Sequence, residues 1–496
     1  MKKKNILLYT LGLSLSLGLY SCDNFLDLEP ISMITIDNAY VTGSQLEAAL
    51  TGTYESFQSS DYYVWDHVLF QDVRSDNHYA GGDNPEIFQI DALNINPTNG
   101  RVFNAWSNIY NAIAKANLVL ERAPAITDPA LTEQRRAQIM GEAAFLRAYH
   151  YYNLVKLWGG VPLVLETVKS ADPAVVRVPR ATEQEVYAQI IADLEFALDN
   201  RLPDTYGSDA SVNKARATKG AANALLATVY AQMPTPNYNK VLEHANAVIN
   251  SSAGYRLLEN YDHLYDGNHY NNDESIMEVQ YLGSNEGNWG PQMHLPPSLS
   301  GDTWRKFTTP SHDLVNAFDA EGDEIRKNAT MVFEAVPWAD EYWSNQTGSQ
   351  VPFAYKWRNA SGWASADRPY IFRLADIILL KAEALNELNR PTEAAQEVNR
   401  VRSRVSLEDV PQTTAASQTQ MRTVILKERR LELAQEGRRW DDLVRYGVAR
   451  EVMNNLNETD LRTGQRVNYN VTDADLLLPI PQQEINRNPT LEQNPL

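Results

Sequence analysis

The sequence predicts a mainly α-helical protein, in which a tetratricopeptide-like α-α superhelical scaffold carries a large, irregular, loop-rich region. Three observations support this fold class. Several long stretches repeat apolar residues with the period of an α-helix. Alanine recurs where successive helices would cross, as in helical repeats that pack closely. A central stretch, residues 251–369, shows helical period only near residues 312–318 and is rich in Gly, Asn, Asp and Pro.

A secretory signal peptide is predicted over residues 1–21. Three lysines at positions 2–4 precede an uncharged, Leu-rich run that is shorter than the ~20 apolar residues of a membrane span. Residues 19–22, Leu-Tyr-Ser-Cys, have the form of a bacterial lipobox, so Cys22 is predicted to be lipidated and to become the first mature residue. Cys22 is the only cysteine, which excludes an intramolecular disulfide and thiol catalysis elsewhere.

The mature chain is predicted to be acidic and globular. The sequence has 44 basic and 63 acidic side chains, and loss of the signal peptide removes three lysines and no acid, which leaves a net charge of −22. Such a charge argues against nucleic acid as a partner. A composition of 43% hydrophobic and 22% charged residues is ordinary for a folded domain, so a substantial core is expected.

The N-terminal region, residues 22–255, is predicted to contain paired helices. Helical periodicity covers residues 102–123, 132–158, 182–200, 214–232 and 239–250. In the third of these, Thr182 at the N-cap and Glu185 three residues later form the pattern of a capping box.

The C-terminal region, residues 256–496, is predicted to divide into a loop-rich part, 256–369, and a helical part, 370–456. Both regions are expected to pack as one globular unit. Apolar stripes at 371–385 and 394–405 face each other across a turn, and Pro391 suits the start of the second helix.

A further helix is predicted over 417–436, with Gly437 as its C-terminal cap and another helix opening at 439–446. On this helix Glu428 falls on the apolar side, where a carboxylate is costly unless an arginine meets it. Arg402, Arg438 or Arg439 could provide that partner in a structural ion pair, and a catalytic acid is the alternative.

Sequence motifs for catalysis or metal binding are not found. There is no zinc-protease, nucleophile-elbow, phosphate-loop or paired-cysteine motif, and the eight histidines show no metal-ligand spacing. Asp262, Asp266, Gly267 and Asp273 resemble part of a calcium loop, but Leu264 occupies a position that needs an oxygen ligand. The chain is therefore predicted to be a non-enzyme without metal or cofactor, although two distant carboxylates could still act in glycoside hydrolysis.

Aromatic residues in loops are the candidate ligand-binding residues. Six of the ten tryptophans lie between residues 251 and 369, and an indole face can stack on the apolar face of a sugar ring while polar neighbours bond its hydroxyls. Each tryptophan could instead fill the core beneath a loop. The residues predicted to bind ligand are Trp65, Asp76, His78, Trp289, Trp304 and Trp343.

Five segments, in order, resemble the SusD/RagB family of Bacteroidetes outer-membrane nutrient-binding lipoproteins, and the resemblance extends over nearly the whole mature chain. The segments begin at Cys22 (CDNFLD), Trp106 (WSNIYNAI), Gly141 (GEAAFLRAY, then LWGGVP), Arg373 (RLADI, then KAEA and NRVR) and Glu428 (ERRLELAQEGRRWDDL). The ending from Leu478, LPIPQQEI, is similar to the C-terminus of the family as well.

The resemblance implies a lipid-anchored protein of the outer membrane that faces the cell exterior. It also implies a partner, a SusC-like TonB-dependent transporter, to which the protein would deliver captured oligosaccharides. Capture of peptides is the alternative within the same role. A surface glycoside hydrolase and a structural adaptor that associates with the transporter without a ligand cleft are the alternatives from other classes. The matching segments belong to the scaffold, so Cys22 is the one functional residue that the resemblance itself assigns.

Overall fold

The computed structural model describes residues 40–360, 362–460 and 463–496. Cys22 and the predicted signal peptide lie outside these residues. The prediction of a mainly α-helical fold is confirmed. The helices of ten or more residues are α1 (Gly43–Tyr54), α2 (Gly100–Arg122), α3 (Glu133–Trp158), α4 (Glu183–Leu198), α5 (Lys219–Gln232), α6 (Tyr238–Ile249), α7 (His312–Glu321), α8 (Leu374–Glu387), α9 (Pro391–Arg404) and α10 (Gln418–Leu433).

Shorter elements connect these helices. The short α-helices are Asp66–Val68, Pro85–Asp91, Pro173–Val176, Ala210–Ala215, Pro297–Ser300, Glu324–Thr330, Gln412–Ala415, Arg439–Arg445, Ala449–Asn455 and Gln482–Arg487. The strands are β1 (His78–Ala80), β2 (Ser275–Glu278), β3 (Thr308–Pro310), β4 (Met331–Ala335), β5 (Gln350–Ala354), β6 (Tyr370–Arg373), β7 (Thr459–Asp460) and β8 (Gln465–Arg466). They form antiparallel pairs β1–β3, β2–β6, β4–β5 and β7–β8.

Helices that follow each other in the chain pack side by side. Helix α2 packs on α3, α3 on α4, α5 on α6 and α8 on α9, while α6 also contacts α8. Small residues allow these contacts, since Ala221, Ala224, Ala382 and Ala394 are fully buried. One apolar core extends through both halves of the chain, from Leu46 to Leu491. No helix of the described segments is long and apolar enough to cross a membrane.

Several predicted helix boundaries are confirmed. The Thr182 side chain accepts the amide of Glu185, and the Glu185 carboxylate accepts the amide of Thr182, which completes the capping box of α4. Pro391 is the first residue of α9, where the missing N–H costs no helical hydrogen bond. In the loop-rich part, α7 begins at His312, where the sequence shows helical period.

Other boundaries were predicted incorrectly. The stretch 214–232 is two helices, because Arg216 is extended and the side chain of Thr218 caps α5 by accepting the amide of Ala221. The stripe at 371–385 begins as strand β6, which pairs with β2, and only then becomes α8. The loop-rich part also contains the β4–β5 hairpin, whose residues show no uninterrupted alternation of apolar and polar side chains.

Helix α10 ends at Leu433, three residues before the predicted end. The chain then turns because the amides of Gln435 and Gly437 donate to the carboxylate of Asp72, at 3.2 and 2.9 Å. Gly437 has φ +67°, and a side chain there would strike the ring of His67. The glycine is therefore required by a close approach.

The prediction that Glu428 forms a structural ion pair is confirmed. Its carboxylate contacts Arg326 at 2.7 Å and Arg402 at 2.9 Å, and its side chain is fully buried. Arg402 was among the predicted partners; Arg326, from the loop-rich part, was not. Arg438 and Arg439 instead pair with Asp376 and Asp76.

Glu428 belongs to a larger buried ion-pair network between α10 and the loop-rich part. Its acids are Glu274, Glu428, Glu432 and Glu436, and its bases are Arg326, Lys356, Arg373, Arg402 and Arg404. Burial raises the pKa of the Glu436 carboxyl, but Arg373 and Lys356 outweigh burial and lower that pKa to about 2. The network joins helices α9 and α10 to the loop-rich part of the chain.

Candidate functional site

An open groove with a volume of about 990 Å³ runs beside helix α2. Three parts of the chain form it: the segment after α1, one face of α2, and the loop after β2. Its lining residues are Glu55, Ser56, Gln58, Ser59, Ser60, Asp61, Asn108, Asn111, Ala114, Lys115, Leu118, Tyr281, Asn285, Glu286 and Gly287. A second groove of about 570 Å³ shares Glu55, Gln58 and Glu286 with it.

The walls of the groove are set by local structure. Asn99 caps α2 by accepting the amides of Arg101 and Val102, and the helix then presents Asn108, Asn111 and Lys115 on one face at helical spacing. On the opposite side the loop closes in a tight turn, in which the Glu286 amide donates to the Gly283 carbonyl.

Polar groups that can bond a ligand line the groove. The side chains of Asn111 and Asn285 are exposed and form no hydrogen bond with another residue of the described chain. The Tyr281 hydroxyl lies buried behind the groove wall and has no partner among the described residues; burial raises its pKa, so the phenol remains protonated, but a ligand in the groove would reach it only after the side chain moves. Amides and hydroxyls of this kind match the donors and acceptors of sugar hydroxyls.

The charge of the groove is negative. Its described lining contains the carboxylates of Glu55, Asp61 and Glu286 and one lysine, Lys115, while Asp61 also pairs with Arg101 at 2.9 Å. The Lys115 amine lies 3.5 Å from Glu55 and donates to the Gly52 carbonyl at 2.9 Å, so it is already engaged. This balance disfavours an anionic ligand.

An aromatic cluster borders the groove and brings together three of the predicted residues. The Trp289 indole N–H donates to Ser60 of the groove wall at 3.2 Å, and its ring centroid lies 6.1 Å from that of Trp65. Phe307 contacts Trp65 and also Trp304, at 6.4 and 5.5 Å. Trp289 and Trp304 are half-buried, so part of each ring remains accessible.

Trp363 is an additional aromatic residue that was not among the predicted binding residues. Its side chain is 54% exposed. Its neighbour Ala364 packs directly on Gly287 of the groove, and Ser365 pairs with Asn288 through two backbone hydrogen bonds. Trp363 therefore lies beside the rim. Its position in the Trp-rich stretch was the only sequence signal, and that signal does not separate it from buried tryptophans.

Three predicted binding residues are buried instead of lying on a surface, which corrects the expectation from the sequence. Trp65, Asp76 and His78 are 2%, 2% and 3% exposed. Burial raises the pKa of Asp76, but Arg430 and Arg439 outweigh it and lower that pKa to about 2. Burial lowers the pKa of His78 to about 3. Asp76 thus serves a structural ion pair, and Trp65 supports Trp289 from below.

Trp343 belongs to a separate aromatic cluster. Its ring contacts His312 at 3.9 Å and lies at the edge of Phe333 at 6.3 Å. Tyr342 and Tyr79 stack in parallel at 3.8 Å beneath this cluster. Trp343 is half-buried but is not part of the groove lining.

The acids that resemble a calcium loop do not converge. Asp262 pairs with Arg358 at 2.5 Å, and Asp273 pairs with Arg256. Both carboxylates thus form ion pairs with arginines.

Comparison with solved structures defines the class of protein. A SusD superfamily protein from Bacteroides vulgatus superposes with a TM-score of 0.77 at 20% identity, covering 92% of this chain and 99% of the other. A laminarin binding SusD-like protein superposes with a TM-score of 0.74 at 29% identity, with coverage of 92% and 99%. The mainly helical scaffold is therefore that of the SusD superfamily.

The chain belongs to the SusD/RagB family. The family model described as "Starch-binding associating with outer membrane" matches residues 24–231, and the model of the SusD family matches residues 337–496. SusD-like protein P2 of Formosa agariphila is 28% identical over 97% of both chains.

Proposed function

We propose that the protein is a non-catalytic, surface-exposed lipoprotein that binds a neutral glycan in the groove beside α2. The observation that carries this proposal is the combination of unpaired polar side chains along the groove with Trp289 and Trp363 at its edge. Indole faces stack on sugar rings, and the amides bond the hydroxyls. The carboxylates of the groove disfavour sulfated or uronic-acid polysaccharides.

The similarity to a laminarin binding SusD-like protein supports the choice of ligand class. Laminarin is a neutral glucan, which agrees with the charge of the groove. Of the predicted residues, Trp289 and Trp304 remain in the proposed surface as direct contacts. Trp343 is proposed only as an outlying contact for a long polysaccharide, because it lies in the separate cluster around His312.

The lipid anchor and the transporter complete the proposed role. Acylation of Cys22 would hold the protein on the outer membrane, facing the cell exterior, and a SusC-like TonB-dependent transporter would receive the glycan. Cys22→Ala is expected to release the protein from the membrane fraction. Membrane retention of that variant would contradict the anchor, and failure of the wild type to co-purify with a TonB-dependent barrel would contradict the partner.

Affinity electrophoresis tests the binding proposal. The mature protein without Cys22 is run through gels containing laminarin, starch or another neutral polysaccharide, and through gels containing alginate or carrageenan. We expect retardation by at least one neutral polysaccharide and by no anionic one. Binding of a peptide mixture without any glycan would favour the peptide alternative, and release of reducing ends would favour the hydrolase.

Trp289→Ala is expected to weaken glycan binding by about tenfold or more, a loss of roughly 1.4 kcal/mol, because one stacking face and the bond to Ser60 are lost. Trp363→Ala should also weaken binding, and because Trp363 is exposed, its loss should leave the fold intact. Trp338→Ala is the matched control, because Trp338 is half-buried, packs against Val351 and Phe353, and does not line the groove. If Trp289→Ala and Trp363→Ala bound glycan as tightly as Trp338→Ala, the proposed site would be contradicted.

A further inference from the structure

Three side chains of one loop face each other outside the groove. His263, Asp266 and His269 follow one another at intervals of three residues, and one ligand atom of each lies within 4.8 Å of the other two. The two imidazole rings stack at 3.8 Å with an angle of 11° between their planes. Within the described residues, this is the only such grouping of three or more His, Cys, Asp or Glu side chains.

The loop that carries them is anchored on both sides. Its 3₁₀ turn, Tyr261–Leu264, places Tyr261 and Leu264 in a buried cluster with Tyr265. The Tyr370 hydroxyl donates to the Leu264 carbonyl at 2.7 Å. The backbone next to His263 and Asp266 is therefore held before any ligand arrives.

The turn between Asp266 and His269 is fixed as well. Gly267 has φ +74° and lies so close to Asn359 that a side chain would clash with it. Asn272 donates its amide to the His269 carbonyl at 2.9 Å. These contacts bend the loop so that His269 returns towards Asp266.

The present contacts leave ligand atoms available. Asp266 accepts the Asn268 amide with Oδ1 at 2.8 Å, while Oδ2 lies 2.7 Å from Nδ1 of His269. The ring nitrogens of His263 form no hydrogen bond with any other described residue. The nearby Arg358 is neutralised by Asp262 at 2.5 Å, so it does not oppose a cation at this place.

We propose that His263, Asp266 and His269 form a zinc-binding site. Two imidazoles and one carboxylate are ligands that Zn²⁺ prefers, whereas Ca²⁺ requires six or more oxygens. A tetrahedral ion with bonds of ~2.05 Å separates its ligand atoms by about 3.3 Å, so the Asp266 to His269 contact must open by roughly 0.6 Å. The stacked rings of His263 and His269 must also turn, because their nitrogen lone pairs lie in parallel ring planes and do not converge on one ion in this conformation. A water molecule fills the fourth position, since His269 is partly exposed.

The zinc site is independent of the glycan proposal, because none of its three ligands lines the groove. The ion would tie the loop 263–269 together and stabilise the folded chain, since the unfolded chain does not preorganise these ligands. If no glycan binds, the zinc proposal still stands, and if no zinc binds, the glycan proposal still stands.

Isothermal titration with Zn²⁺ tests the site. The protein is used without a histidine tag and without Cys22, which removes the only thiol. We expect one Zn²⁺ per chain, a raised melting temperature, and no binding of Ca²⁺ at the same concentration. Absence of Zn²⁺ binding by the folded wild type would overturn the proposal.

Single substitutions locate the ligands. His263→Ala and His269→Ala should each weaken zinc binding by about tenfold or more. His244→Ala is the matched control, since this half-buried histidine of α6 bonds Asn223 and is no part of the site. Asp266→Asn keeps the shape of the side chain but removes its charge, so weaker binding by a folded variant supports ligation. Wild-type affinity in both alanine variants of the site would overturn the assignment.

Discussion

Glu432→Gln is expected to lower the free energy of unfolding by about 3–5 kcal/mol, because it removes one partner of a buried set of charges. The Glu432 carboxylate contacts Arg373 at 2.5 Å and Arg326 at 3.0 Å, and it also pairs with Arg404. All four side chains are at most 3% exposed. The neutral amide keeps the shape but leaves three guanidinium groups partly uncompensated.

The pKa of Glu432 is shifted downwards, which agrees with a stabilising role of its carboxylate. Burial alone would raise it, but the guanidinium groups of Arg404, Arg373 and Arg326 lower it well below the usual range. A carboxyl with a lowered pKa in the folded state stabilises the fold above its unfolded pKa, and this stabilisation is lost as pH falls towards the folded value. At neutral pH the full contribution is present.

Urea and thermal unfolding at pH 7 measure the effect of Glu432→Gln. Glu393→Gln is the control, because Glu393 forms an exposed pair with Arg390 at 2.6 Å and its loss should leave the midpoint unchanged. Equal midpoints for Glu432→Gln and Glu393→Gln would show that the buried ion-pair network does not support the fold.

His150→Gln is expected to reduce the loss of stability in acid. Between pH 6.5 and 4.5, the free energy of unfolding of the variant should fall less steeply than that of the wild type, by up to about 1.4 kcal/mol per pH unit. Burial, with a smaller contribution from Lys115, lowers the pKa of His150 to about 3. The unfolded chain binds a proton at this histidine near pH 6.5, whereas the folded chain does not. The wild-type protein is therefore destabilised as pH falls through this range, because protonation of His150 favours the unfolded chain.

Comparison of the wild type with His150→Gln separates the effect of His150 on stability from the effects of other titrating groups. Burial raises the pKa of Asp72 to about 6 and that of Glu458 to about 9, and these carboxyls change stability in the opposite direction. Both are present in wild type and variant, so their effect cancels in the difference. The Gln side chain can still bond the Tyr62 hydroxyl, which lies 2.9 Å from His150.

Melting temperatures of both proteins at pH 7.0, 6.0, 5.0 and 4.5 provide the measurement. Any amount by which His150→Gln melts below the wild type at pH 7 should become smaller at each lower pH. A constant difference across the series would mean that His150 is protonated equally in the folded and unfolded states.

The scaffold was predictable from the sequence because its signals are local. Helical periodicity, the Thr182 capping box and Pro391 each act within a few residues, and the structure confirms them. Prediction failed where a distant residue decides the local structure. Helix α10 ends early because Asp72 accepts hydrogen bonds from the amides of Gln435 and Gly437, which follow the helix. No sequence pattern near Leu433 predicts that contact.

The candidate site was predictable only in part. The sequence indicated that tryptophans of the loop-rich part matter, but it could not separate Trp65, which is buried, from Trp363, which is exposed. Exposure depends on which loops cover each ring, and that is a long-range property. Asp76 was chosen as a polar loop residue, whereas its charge is committed to Arg439, 363 positions later.

The histidine group was missed for a different reason. His263, Asp266 and His269 lie at spacing that would not place them together on a regular strand, and the turn at Gly267 brings them within reach. The partial calcium pattern included Asp266 but neither histidine, and its other two acids, Asp262 and Asp273, pair with arginines.

A crystal structure of the protein with a bound neutral oligosaccharide tests the central claim most directly. The ligand would be the shortest fragment of the polysaccharide that retards the protein in affinity gels. The proposal predicts sugar rings in the groove, stacked on Trp289 or Trp363 and bonded to the side chain of Asn111 or Asn285. Sugar bound at another surface, with the groove filled only by water, would contradict it.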